Sequence, residues 1–173
     1  MTNVINDDEV ELYALLGLMV RNAADLEFRL QMLAEYLSQS PYAHLWIHGV
    51  SANDALRLIR EIAKEHPRVI PPEREAFEDL AKRASQLLNR RHGYVHGAWS
   101  MDGAPPESTT YQAIRFTKGK REIRFDPLSK EDLRDLIQKL STLTSEIMNW
   151  QMGLIKKINS EDERLREAKA KDQ

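Results

Sequence analysis

Apolar side chains recur near the start of the chain in alternating steps of three and four, at Leu12, Leu16, Met19, Ala23, Leu26, Leu30, Leu33 and Leu37. That period puts them on one helical face, so residues from about 8 to 38 are expected to form one long amphipathic helix. Asp7 or Asp8 can cap its start, and Ser38-Gln39-Ser40-Pro41 ends it. Residues Tyr42 to Val50 read as one or two helical turns. Ser51-Ala52-Asn53-Asp54 is a capping box, a hydroxyl followed three residues on by a carboxylate. It opens a second helix marked by Leu56, Ile59, Ile62 and Ala63, which stops near His66-Pro67. Pro71-Pro72 opens a third, where a missing N–H does no harm. Its stripe is Phe77, Leu80, Ala81, Ala84, Leu87, Leu88, then Arg91 and Val95, with Gly97 as the stop.

The period then changes. Met101 to Thr110 reads as loop. Tyr111–Phe116 and Arg121–Phe125 alternate as strands do, and Thr117-Lys118-Gly119-Lys120 between them supplies a hairpin turn. Ser129-Lys130-Glu131-Asp132 is a second capping box. It starts a last long helix with Leu133, Leu136, Leu140, Leu143, Ile147, Trp150, Leu154 and Ile158 inward. The tail from Ser160 to Gln173 is nearly all polar and is expected to fray. The pattern predicts an all-α fold: an up-and-down bundle of four to five helices, with a small β-hairpin inserted at about 111–125, before the last helix. One domain is expected over residues 1–159, followed by the polar tail 160–173.

Composition narrows the chemistry. Of 173 residues, 42% are hydrophobic and 30% charged, which is the balance of a globular chain. A net charge of −2 rules out polyanion binding by bulk electrostatics, so any nucleic-acid site must be a local basic patch. The absence of cysteine removes disulfides, thiolate zinc sites and cysteine nucleophiles. Met1 to Asp8 lacks the form of a signal peptide, and no apolar run approaches the ~20 residues of a membrane span. A cytoplasmic location is expected. There is no Gly-rich phosphate loop, no His-Glu-x-x-His and no Gly-x-Ser-x-Gly, and no cofactor is expected.

The run Arg91-His92-Gly93-Tyr94-Val95-His96-Gly97 places an arginine and two histidines near the end of a core-facing helix. A charge on such a stripe needs a partner or a task. His92 and His96 are one turn apart on one face. Arg91 and His96 stand about 140° apart on an ideal helix. They converge on one substrate if Gly93 loosens the turn between them, or if two copies of the helix face each other across a dimer two-fold. A structural role is the alternative: Arg91 paired with an acid such as Glu27, and the histidines satisfying last-turn carbonyls and the helix dipole.

Arg91-His92-x-x-x-His96 resembles the signature of HEPN domains, an arginine followed four to six residues later by histidine. The residue after that arginine is commonly Asn, Asp or His, a slot His92 fits. The order of elements is similar too: a long first helix, the motif late in another, a long closing helix. The resemblance covers roughly residues 8 to 158 in architecture and six residues in motif. It implies a helical bundle, a homodimer in which two motifs build one site, and metal-independent RNA cleavage in stress or phage defence. It also implies a possible antitoxin or other defence-system protein as partner. In that reading Arg91 clamps phosphate, His96 is base or acid, and His92 positions or polarises. HEPN toxins paired with nucleotidyltransferase antitoxins usually carry tyrosine two residues after the histidine. Here Ala98 stands there, which speaks against control through that tyrosine.

Arg90, Arg115, Lys118, Lys120, Arg121 and Arg124 are candidate RNA-binding residues. All but Arg90 belong to the hairpin, where a basic edge can track phosphates or deter edge-to-edge pairing. His44 and His48 repeat the four-residue spacing but flank Leu45-Trp46-Ile47, so they are expected as half-buried packing histidines; no metal site is expected. Trp46, Trp99 and Trp150 read as core or interface. The alternatives to a nuclease are a non-catalytic helical module that binds RNA, a nucleotide or a partner protein, and a histidine-metal bundle enzyme.

Overall fold

The computed structural model describes residues 7–96, 98–100, 111–116 and 123–171. They form five helices, α1 (Asp7–Ser38), α2 (His44–Ile47), α3 (Ala52–Glu65), α4 (Pro71–Val95) and α5 (Lys130–Lys171). Three short strands, β1 (Ala98–Ser100), β2 (Tyr111–Phe116) and β3 (Ile123–Leu128), lie between α4 and α5. The chain is mainly helical, as its periodicity requires. The inward positions of α1 and α5 largely match the stripe: Met19, Leu26, Leu30, Leu33, Leu133, Leu136 and Leu140 are all fully shielded from water, while Leu15 rather than Leu16 is buried in the first turns of α1. Among the described residues no helix is long and apolar enough to cross a membrane.

The helix starts follow local chemistry. Ser51 caps α3: its Oγ accepts the Asp54 N–H at 3.2 Å, and Glu27 accepts the Ala52 N–H at 2.9 Å. At α5 the box is reciprocal. Ser129 Oγ accepts the Asp132 N–H at 3.0 Å and Asp132 Oδ2 accepts the Ser129 N–H at 3.0 Å. Ser129 Oγ also donates to Asp132 Oδ2 at 2.8 Å, and that bond, then the one from the Ser129 N–H, holds the Asp132 carboxyl below its ordinary value. Asp7 and Asp8 both fall inside the first turn of α1 rather than before it.

The chain divides into two compact units, residues 1–25 with 84–142, and residues 26–83 with 143–173. In the first, α1 and α5 are tied by Asn22 Nδ2 donating to the Ile137 carbonyl at 3.2 Å. Glu11 meets both Lys130, at 2.6 Å, and Arg134. Lys130 is buried at the dipole-disfavoured start of α5, so it depends on that carboxylate. In the second unit Arg60 forks onto Glu78 at 2.7 and 2.9 Å, joining α3 to α4. Trp150 donates to the Glu73 carbonyl at 3.1 Å and Lys157 meets Glu73 at 2.6 Å, joining α4 to α5.

Several expectations need correction. The small β-hairpin expected at 111–125 is not seen as such. The described strands form a three-stranded antiparallel sheet of order β1-β2-β3, with β1 immediately after the motif. The turn expected at Thr117–Lys120 lies outside the described residues. β1 was invisible because three residues are too few to display a period. The last helix does not stop near Ile158 but runs to Lys171. Beyond Ile158 it is carried by helix-favouring Glu, Ala, Lys and Arg and by Arg68, which meets Asp162 at 2.6 Å. Near the end of α4 the shielded side chain is that of Tyr94, not Val95, which is 37% exposed.

Candidate functional site

The motif occupies the last turns of α4. The helix is unbroken through Val95, and the His96 N–H still donates to the His92 carbonyl at 3.1 Å. Gly93 is buried inside this regular stretch, so the loosened turn that would swing Arg91 toward His96 is absent. The two imidazoles do meet. Their ring centroids are 4.4 Å apart with the planes inclined at 47°, and both side chains are exposed. Two such rings can divide proton-transfer roles, one accepting while the other donates.

Arg91 is half-buried, and its Nε is shut off from water with no hydrogen-bond partner. A buried unsatisfied donor costs on the order of 1–3 kcal/mol, more on a cation. Among the described residues no acid answers it. Glu27, the acid that would have given Arg91 a structural role, instead caps α3 through Ala52. Arg90 contrasts with its neighbour. Burial works against its charge, but Tyr94 and the Asp135 carboxylate, 3.4 Å away, outweigh that and hold it above its ordinary value. Asp135 is held below its own by Lys139, at 2.8 Å, and Arg90. Arg90 is thus already engaged by a partly exposed network with Asp135 and Lys139.

Of the other candidate RNA-binding residues, Arg115 and Arg124 are register partners across β2 and β3. Lys118, Lys120 and Arg121 lie outside the described residues. His44 and His48 are exposed rather than half-buried: their rings make an edge contact at 6.2 Å, and His48 Nε2 reaches Glu35 at 3.0 Å. No group of three or more His, Asp or Glu among the described residues is placed to hold a metal ion. Trp150 packs on Phe77 with ring centroids 5.1 Å apart, whereas Trp46 is 45% exposed.

Sequence reasoning missed Tyr94 and Asp135 as partners of Arg90. The four-residue step from Arg90 to Tyr94 was a usable signal; Asp135, on another helix, gave none. It also read His66 only as a helix stop. The structure buries that ring with a partner on each nitrogen. No family model, curated protein or solved structure matches the chain.

Proposed function

We propose that the end of α4 is the cleavage site of a metal-independent endoribonuclease of the HEPN type, acting as a homodimer. The single observation that supports this most is the pairing of two exposed imidazoles, 4.4 Å apart, with an adjacent arginine whose buried Nε lacks a partner. A phosphate oxygen is the acceptor such a guanidinium lacks. In the reaction the ribose 2′-hydroxyl attacks the adjacent phosphorus. Its proton passes to one histidine, the new O–P bond closes a 2′,3′-cyclic phosphate, and the 5′-oxygen leaves with a proton from an acid. His96 takes a proton-transfer role, His92 positions or shares it, and Arg91 clamps the charged phosphorane.

A dimer is part of the proposal because α4 is regular between Arg91 and His96, so one copy presents them on different sides. A second copy facing the first supplies the missing half of each site. The unit that holds the motif also exposes Val10, Tyr13 and Val20 of α1 at 37–55%, apolar surface that an assembly would cover. The basic residues at 115–124 and Arg90 would track the strand.

The test is incubation of purified protein with single-stranded RNA in chelator, beside Arg91→Ala and His96→Ala. Products ending in 2′,3′-cyclic phosphate are expected from the parent chain and from neither variant, with helical circular dichroism unchanged. Cleavage that survives in both variants overturns the proposal. RNA binding without cleavage would make the chain a binding module instead.

A further inference from the structure

We propose that the cleft formed by the end of α1, the helix α2 and the end of α3 binds an organic cation with an apolar stem, an alkylguanidinium or alkylammonium group. It belongs wholly to the second unit and does not depend on the nuclease reading.

The cleft holds about 520 Å³, room for a small ligand. Leu37 and Ile62 line it with the exposed ring of Trp46, giving an apolar trough with an electron-rich wall. Its charged lining residues are Glu61 and Glu65, one turn apart on α3, and it has no lysine or arginine in its walls. Glu61 is already engaged by Arg57 at 3.4 Å. Glu65 has no ion pair among the described residues, and it sits in the last turn of α3, where the helix dipole disfavours a carboxylate. Glu65 is exposed, so its carboxylate lies open on the same cleft as the Trp46 ring. A bound cation would pair with it, and an anion would be repelled.

The remaining wall is built rather than incidental. His66 is 8% exposed. Its Nδ1 accepts the Arg68 N–H at 3.2 Å, so the ring proton is on Nε2, which faces the Gln39 side chain at 3.0 Å. Burial, then the Arg68 charge, holds His66 below its ordinary value, so the ring adds no positive charge to the cleft. Gln39 itself adopts φ 50°, the left-handed region that a non-glycine residue seldom enters. That conformation ends α1, whose last residue is Ser38, and it sets the Gln39 side chain against His66.

The experiment is an NMR titration of the full chain with butylguanidinium, its neutral isostere butylurea, and pentanoate. Expected are saturable shifts of the Trp46 indole and the Gln39 amide with butylguanidinium, binding at least about fivefold weaker for butylurea, and none for pentanoate. Glu65→Gln and Trp46→Ala should each weaken butylguanidinium by about fivefold, whereas Glu65→Asp keeps most of the affinity. Arg91→Ala should leave it unchanged, which separates this site from the motif. No saturable shift, equal affinity for butylurea, or a preference for pentanoate overturns the proposal.

Discussion

The two halves of α4 treat charge in opposite ways. Toward its start, Glu73, Glu78 and Arg83 each have an ionic partner. Arg83 lies between Asp79, at 2.9 Å, and Glu146, at 2.5 Å, and Glu78 is held by Arg60. Even Glu73, which has one oxygen buried without a partner, gives the other to Lys157. Toward its end, Arg91 keeps a buried Nε with nothing bound to it, and two histidines stand exposed beside it. One helix therefore carries arginines that hold the fold and an arginine that the fold does not satisfy. A buried donor without a partner calls for an explanation in a native structure, and the nuclease proposal supplies one: a phosphate contact that forms when the guanidinium turns outward.

That contrast can be broken by substitution. The largest effect expected is on rate: His96→Ala should slow RNA cleavage by about 10²–10⁴-fold, the usual weight of proton transfer, with no change in melting temperature. Arg83→Ala should act the other way. Loss of its two partners should cost about 1 kcal/mol, a fall of roughly 2–4 °C in melting temperature, with cleavage retained. Arg91→Leu is the sharpest comparison, because removing an unsatisfied buried donor should leave stability unchanged or raise it by up to about 1 kcal/mol while cleavage is lost. A marked destabilisation by Arg91→Leu would mean that the arginine is structural after all. Gly17 of α1 has open space where a side chain would begin, so Gly17→Ala should add about 0.5–1 kcal/mol in thermal or urea melts.

The histidines extend the comparison to pH, with an effect that vanishes at neutrality. His66 titrates below 6.5 when folded, so between its folded value and 6.5 the unfolded chain binds more protons. Stability should accordingly fall as pH drops below about 6.5, and His66→Gln should flatten that limb in urea melts recorded across pH. A profile identical to the parent's would remove His66 from the account.

Much of this was legible in the chain. The helices α1, α3 and α5 followed from a period of 3.6 sustained over several turns, and the caps of α3 and α5 from hydroxyl–carboxylate spacings that act within one turn. What failed was either too short or too remote. β1 spans three residues. The partner of Arg90 lies on another helix, and no local rule joins residue 90 to residue 135. The extension of α5 past Ile158 was missed because hydrophobic period was taken as the sign of helix, whereas charged helix formers continue one without it. Of the candidate site, the spacing of His92 and His96 foretold their meeting. The unanswered Nε of Arg91 did not show, since burial of a single atom depends on everything around it.

The path of the chain between its two units has a consequence for how such a protein can be rearranged. The backbone passes from one unit to the other after Asp25, after Arg83 and after Thr142, each time inside a helix and never in a loop. A gene fusion or splice that moved either unit alone would have to sever α1, α4 and α5 in mid-course. Inheritance of this architecture is therefore all or nothing, and shuffling can act on it only as one piece.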